Sequence, residues 1–438
     1  MQHGLVIGIG LGLAVGPLFG NAGGYFRGGV ETTGDVHGFE PSATQTIRIV
    51  DEKLTVVLGS QEADVEVRYL MRNETTKRST VRFGFPVEES FDNHNFGNSA
   101  QPTDTWKDLR YCQDYQISAG GKALKAKWQD ETKPVGKSPA DARFKGIGGW
   151  LVSELTFNGS QEIPVLIRFR SIYPKSAYGS SGSGTSSAAI FSYRLSSAAC
   201  WAGSIGSGRI VLKPAGIDPR ELKVIKPVNR FHKQGDTWVW DFENLKPTLA
   251  DDLVIEAEPS VTSHYAGDHA ESQYYQSNGE WYIITTNYKA KASSVKPPEG
   301  KLDYTVTNLN DNSPNNAWCE GKPGPGVGEW LELRPEVAKP LRSLLMLPGY
   351  QKSEELFRAN ARPKRVKVIL NDEHTFSVEV PDKRAQCCIP VRGYAKPVRL
   401  VKLIFEDVWP GSSFEDLCVS GLSLEVRLDK KPKLPPVR

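Results

Sequence analysis

The sequence predicts an all-β chain: an N-terminal β-sandwich region followed by a second, C-terminal sandwich. Three observations predict it. The 438 residues include 41 glycines and 29 prolines, punctuation too dense for long helices, and no extended 3.6-residue periodicity runs between them. Between the breaks, apolar and polar residues alternate with period two, the mark of strands with one buried face. A chain of this length is expected to hold two or three domains. Its 39% hydrophobic and 24% charged residues suit packed cores rather than disorder. The formal net charge of +3 supplies no global field for nucleic acid, which is not expected as a partner.

Residues 1–22 stand apart. Gly4 to Gly16 is an uncharged apolar run, short and glycine-rich for a membrane span. Gly20-Asn21-Ala22 places small residues where a signal peptidase reads. A secretory signal cleaved after Ala22 is expected, with an uncleaved anchor as the alternative because Met1-Gln2-His3 lacks Lys and Arg. No other stretch approaches eighteen apolar residues, so no membrane span is expected in the mature chain. It is expected to be exported, acting in the periplasm or outside the cell.

Strand patterning starts at Thr46. Ile47, Ile49, Leu54, Val56 and Leu58 alternate with polar residues, as do Val65, Val67, Tyr69 and Met71, then Val81, Phe83 and Phe85. Turns at Gly59-Ser60 and Asn73-Glu74-Thr75 separate them, giving a meander with one buried face. This block resembles a family of exported bacterial proteins of unassigned function. The carriers are Gly23-Gly24, Ile49, Glu52, Leu54, Val56, Tyr69, Asn73, Val81, Phe85, Pro86 and Val87. The Ile49-to-Glu52 spacing is shorter than in that family. The resemblance implies fold and export, not activity.

Between Glu88 and Lys145 the pattern weakens, with a long loop expected over Phe91 to Asp104 and a short helix at Pro139 to Phe144. Strands return in WLVSELTF and EIPVLIRFRSIY. Tyr178 to Ala188 is a Ser/Gly tract expected to be a flexible surface loop. Further strands follow to WYIITTNY, so residues 23–287 read as one or two packed β-sandwiches. Lys289 to Pro298, KAKASSVKPP, has linker composition. Asp429 to Arg438 is a basic, Pro-rich tail expected to be a solvated, extended end.

Asn308 to Leu333 organises the C-terminal third. Asn308, Asn310, Asp311, Asn312, Ser313 and Pro314 are turn formers. Ala317-Trp318 follows, then a Gly/Pro hairpin, then Glu329-Trp330-Leu331-Glu332-Leu333. The run resembles the opening of a discoidin-like (coagulation factor 5/8 type C) jelly roll, of the glycan-binding translocation type also found in secreted NAD glycohydrolases. That family's pattern is N-x-x-D-G-x-x-x-T-A-W, then G-x-G-E-W-I-E-L. Asn308, Asp311, Ala317, Trp318, Gly326, Gly328, Glu329, Trp330, Glu332 and Leu333 match it. The resemblance continues through Gly349 to Lys352, Ala359 to Arg362, Gln386, Asp407 to Gly411 and Phe414 to Ser420. It implies a galactose-binding-like jelly roll over residues 288–428, with Trp318 and Trp330 in its core.

Sugars are gripped by Asp, Asn, Arg and Glu on their hydroxyls and by an aromatic face on the apolar side of the ring. The candidate ligand-binding residues are Asp311, Asn312, Asn315, Tyr350, Asn360, Arg362 and Trp409, all in loops at sheet ends. The competing assignment makes Asp311 and Asn315 turn caps and Arg362 an ion-pair residue. Many discoidin-like domains hold a structural calcium beside this loop, and such a site needs six to eight oxygens. Ser313 stands where an Asp is often found and Gly421 where a late Glu is often found. Two hard ligands are thereby removed, and no cofactor or metal is expected.

Six cysteines in a secreted chain suggest disulfides. Cys112 and Cys200 are expected to staple the N-terminal region, worth ~4 kcal/mol in the chain-entropy model. Cys319 and Cys418 are candidates in the C-terminal domain, where four cysteines leave three pairings open. Adjacent Cys387 and Cys388 would face opposite sides of a strand. No C-x-x-C or H-E-x-x-H spacing marks a metal, and no Ser/His/Asp order marks a nucleophile. The chain is therefore read as a non-catalytic binding protein for glycan or another surface polymer. The alternatives are an envelope protein-interaction or structural module, and an undetected hydrolase in the N-terminal region.

Overall fold

The computed structural model describes residues 23–24, 46–87, 111–130, 149–173, 177–180, 183–186, 188–258, 262–265, 272–277, 280–300, 302–311 and 313–432. The expected signal segment, the Pro139 helix and the end of the tail lie outside them. The described chain is built almost wholly of strands in five sheets.

The N-terminal spine is three long antiparallel strands, Ile47–Leu58, Glu62–Asn73 and Glu162–Ile172, extended on the other side by Ile205–Pro214 lying parallel to the first. Their alternation is the predicted one, with a refinement. The buried positions are odd at Ile47 and Ile49 but even at Leu54, Val56 and Leu58. A register shift between Ile49 and Asp51 absorbs the change: one extra residue lets both sets face the same core. Ser79–Val87 pairs with Gly149–Phe157 in a smaller sheet. The two sheets close on one apolar core, where the Phe85 ring meets Tyr115 at 5.4 Å and Phe169 at 5.1 Å. Each such buried side chain contributes roughly 1.5–3 kcal/mol.

Two sequence expectations fail here. The Ser/Gly tract is not a loop throughout: Ala177–Ser180 pairs with Ser183–Ser186, which pairs with Thr262–Tyr265. A ladder needs only backbone N–H and C=O groups, and small residues supply these as well as large ones. Cys112 and Cys200 are both buried in the N-terminal core but stand as thiols; the expected bond between them is not formed.

The C-terminal domain is a two-sheet sandwich. One sheet runs Tyr288–Ala292, Trp330–Pro335, Val401–Trp409, Arg362–Leu370, His374–Glu379. The other is centred on Cys418–Leu428, flanked by Leu341–Pro348 and then Cys387–Pro390. Trp318 is fully buried between them, stacked on Phe405 at 5.8 Å, with its indole N–H donating to the Ser294 carbonyl at 3.0 Å. Trp330 is not interior as expected. Leu331 and Leu333 take the core, so period-two alternation turns Trp330 to the other face, half-buried beneath the Lys402 ammonium at 4.9 Å.

The supposed linker is a structural part of the sandwich. Tyr288–Ala292 pairs with Trp330–Pro335, and the Tyr288 hydroxyl donates to the Leu309 and Leu422 carbonyls at 3.0 and 2.7 Å. Composition misled because Ala290 and Ala292 are small yet alternate with lysines, and they pack on the core. Glu280–Thr285, on the N-terminal side of the expected boundary at 287/288, hydrogen-bonds along Cys418–Leu428. One sheet therefore runs continuously from the C-terminal sandwich back to Ala177–Ser180. The start of the tail is also held: Lys339 pairs with Asp429, and Lys431 lies over the Trp281 ring at 5.7 Å.

Candidate functional site

Strand register gathers the loops of the C-terminal sandwich at one end. Trp318 and Cys319 lie opposite Val419 and Cys418, Pro348 also meets Val419, and Arg362 meets Trp409. The segments out of Cys319, out of Pro348, into Arg362 and out of Trp409 must therefore emerge together. A Cys319–Cys418 disulfide, with Cα atoms 4.3 Å apart, ties this end. Around it pack Tyr304, Ala317 and Tyr350.

The predicted residues divide into two groups. Asp311 and Asn315 are exposed on the loop before Trp318. Asp311 is spent on its own turn, accepting from the Ser313 N–H at 2.8 Å and the Asn316 amide at 2.7 Å. The Tyr350 hydroxyl donates to the Asn315 carbonyl at 3.2 Å, and burial raises that phenol above its usual range. Asn312 lies outside the described residues.

Asn360, Arg362 and Trp409 are architectural. The Asn360 amide donates to the Leu356 carbonyl at 2.9 Å, closing the helix Glu354–Ala359. Arg362 is 5% exposed and grips Asp382 bidentately at 2.5 and 2.8 Å. It also donates to the Asn360 and Pro410 carbonyls, and its guanidinium lies over Phe357 at 5.0 Å. Four of its five N–H donors are spent on these partners and the side chain is buried, which is the geometry of the ion-pair role for Arg362. The half-buried Trp409 donates its indole N–H to the Val380 carbonyl at 3.0 Å.

Residues outside the predicted set complete this end. Lys296 pairs with Asp416 at 2.7 Å and Glu299 at 3.1 Å, and its ammonium sits over the Tyr304 and Phe414 rings at 5.3 and 6.0 Å. Burial pulls the Lys296 ammonium down, but the two carboxylates overcome this and hold it above its ordinary value. The Tyr304 hydroxyl donates to Glu299 at 3.3 Å. Phe414 is 51% exposed. Its N–H donates to the Ala359 carbonyl at 2.8 Å. A Cβ on Gly411 would meet the Phe414 and Ala359 carbonyl oxygens at 2.1 and 2.4 Å, so glycine is what lets this loop fold so tightly. The available sequence signal was an aromatic among Gly411, Ser412 and Ser413 with no apolar partner two residues away. Lys296 was hidden inside the apparent linker, and Glu299 lies just past its end.

Several polar groups of the loop before Trp318 are already bonded to protein partners. Both Asp311 oxygens already accept hydrogen bonds. The Asn310 amide donates to the Thr286 and Tyr288 carbonyls at 2.7 and 3.1 Å, and the Asn308 amide donates to the Ala317 carbonyl at 2.9 Å. Among the described residues no three His, Cys, Asp or Glu side chains are grouped to hold a metal.

Residues 281–425 match the family described as the NAD glycohydrolase translocation F5/8 type C domain, and the two-sheet sandwich with Trp318 interior is the fold that match requires. This segment is an F5/8 type C domain. The match starts within the strand Glu280–Thr285, the one that hydrogen-bonds along Cys418–Leu428. Solved structures similar to the chain include a Legionella pneumophila protein described as nutrient-binding, at 14% identity and TM-score 0.37, covering 55% of this chain and 71% of that one. A Clostridium perfringens family 32 carbohydrate-binding module, solved with GlcNAc-α-1,4-galactose, is similar at 15% identity and TM-score 0.23, covering 32% and 90%. The family 32 module of Streptococcus pneumoniae EndoD is similar at 9% identity and TM-score 0.25, covering 32% and 97%. No curated protein matches the chain.

Proposed function

We propose that the F5/8 type C domain binds glycan at its disulfide-tied end, and that the chain is an exported, non-catalytic binding protein acting in the periplasm or outside the cell. The observation that carries this reading is Phe414: a half-exposed aromatic ring beside Lys296, which is itself flanked by Asp416 and Glu299. An aromatic face covers the apolar side of a pyranose. Carboxylates accept from its hydroxyls, and an ammonium donates to them. Asn315 borders this end through Tyr350, and its exposed side chain offers a further polar contact. A glycan array probed with the whole chain, followed by calorimetry on each hit, tests the reading. Hits that Phe414→Ala abolishes support it; no hit across diverse neutral, acidic and amino sugars overturns it.

One observation favours a protein partner instead. Val295, Leu302 and Val327, like Phe414, are exposed, at 42%, 45% and 54%, apolar groups of the kind a partner can cover. Cross-linking to an envelope protein that no sugar displaces would decide for that reading.

A further inference from the structure

We propose that the cleft between the N-terminal domain and the F5/8 type C domain is a binding site for a small zwitterion, an amino acid or short peptide with both termini free. The cleft has a volume of about 690 Å³, within the range of small-molecule sites. The N-terminal domain supplies one wall and the helix Glu354–Ala359 with the loop after Val380 supplies the other.

The two walls carry opposite charge. On the N-terminal side Glu62 and Asp114 outnumber Arg170; on the other, Arg358, Lys383 and Arg384 outnumber Glu354 and Asp382. Lys383 spans the gap at one point, pairing with Glu62 at 2.9 Å and Asp64 at 2.7 Å, and so fixes the walls at a set separation.

Each wall keeps unused hydrogen-bonding capacity. Arg170 donates twice to Asp114, from Nε at 3.0 Å and Nη2 at 2.7 Å, and both bonds fall on Oδ2. Oδ1 is left to the cleft, on a side chain 57% exposed. Asp114 sits at φ 53, where Gln113–Ala119 slips register against its neighbour. A non-glycine residue in that region costs energy, although Asp tolerates it better than most, so the chain bears some strain to set this carboxylate where it is. Opposite, Arg358 uses Nε on Glu354 and Nη1 on Asp382, while Arg384 uses Nη1 on the Gln351 carbonyl and Nε on Glu354. A guanidinium has five N–H donors, and Nη2 of both arginines remains.

Two arginine Nη2 groups suit a carboxylate through charge-assisted bonds. Asp114 Oδ1 suits an ammonium. A simple anion or a simple cation would engage one wall and be repelled by the other; a molecule bearing both charges satisfies both. Among the described residues no aromatic ring lines the cleft, which sets it apart from the end that carries Phe414.

Calorimetry on the whole chain with trialanine, N-acetyl-trialanine and trialanine amide tests this. Trialanine is expected to bind, and each blocked form to bind at least tenfold more weakly. Arg384→Gln is expected to erase the penalty for amidation and Asp114→Asn the penalty for acetylation, with unfolding midpoints confirming that both exposed variants fold. Equal binding of the three probes, or no binding of trialanine, overturns the proposal without reference to any variant. Glycan binding is read separately, so either outcome leaves the Phe414 reading standing or falling by its own assay.

Discussion

Arg342 of the F5/8 type C domain and Glu221 of the N-terminal domain form an ion pair across the seam between the domains, each side chain only 10% exposed. Asp218 at 3.7 Å and Glu425 at 3.8 Å also face Arg342, and Tyr282 offers its ring at 4.1 Å. One guanidinium thus faces three acidic side chains in a dry place. Removing one partner of a buried pair leaves uncompensated charge and costs ~3–5 kcal/mol. Arg342→Met is expected to lower the denaturation midpoint by an equivalent amount, whereas exposed Arg365→Met, whose partners Glu379 and Glu406 are solvated, should change it little. Urea titration of both variants checks this.

The same seam should make stability depend on pH. Burial, with Asp218 adding, pushes the Glu425 carboxyl up to about 8. Facing it are Asp218, Arg220 and Arg342, with Tyr275 and Ser343 donating hydroxyl hydrogen bonds to it. An unfolded glutamate titrates near ~4.3. Between these values the folded state holds a proton that the unfolded state has released. Stability should therefore be greatest below the unfolded value and decline as pH rises through about 8, by at most ~1.4 kcal/mol per unit. Denaturation midpoints at pH 5, 6.5 and 8.5 measure the slope. Glu425→Gln, which carries no titrating proton, should flatten it; an unchanged slope in that variant would place the titration elsewhere.

The Cys319–Cys418 bond closes a loop of 99 residues in sequence. A crosslink of that span is worth ~4.7 kcal/mol in the chain-entropy model. Cys319→Ala/Cys418→Ala is expected to lower stability by about that much, and reduction of the wild type should match it. Because the sulfurs pack against Tyr304 and Tyr350, glycan affinity should fall alongside stability. A double variant as stable as the wild type would show that packing alone holds this end closed.

Period-two patterning made the architecture legible, since Leu54, Val56, Val65 and Val67 can only alternate one way once a face is buried. The same logic, applied strictly, would have placed Trp330 outside, because Leu331 and Leu333 cannot be interior with it. Composition was the weaker guide. KAKASSVKPP looks like a linker, yet Ser293 and Ser294 both donate to Glu329, at 2.6 and 2.5 Å, and Lys296 anchors the Phe414 end. Those partners lie 35 to 120 residues away, a separation that no local pattern encodes. The candidate site was legible as a location, the loops around Trp318 and Tyr350, but not residue by residue. Whether an Arg faces a ligand or an Asp depends on what the fold brings opposite it, and Asp382 is 20 residues from Arg362.

Arg362 and Phe414 should fail in opposite ways, and the contrast tests which residues meet a ligand. Arg362 is buried, holds Asp382 in a fork and ties two backbone carbonyls. Its loss leaves Asp382 with Arg358 as its remaining cation and leaves the Asn360 and Pro410 carbonyls without that donor. Arg362→Ala is therefore expected to cost ~3–5 kcal/mol of stability, with little change in the affinity of whatever protein remains folded. Phe414 covers little core, being half exposed, so Phe414→Ala should shift the unfolding midpoint by less than ~1 kcal/mol. Glycan affinity should instead drop at least tenfold, in line with the loss of one stacked aromatic contact. Thermal unfolding and calorimetry on the two variants separate the cases. If Arg362→Ala loses ligand while keeping the wild-type midpoint, the binding surface lies at the helix Glu354–Ala359 rather than at Phe414, and the guanidinium must leave Asp382 to reach it.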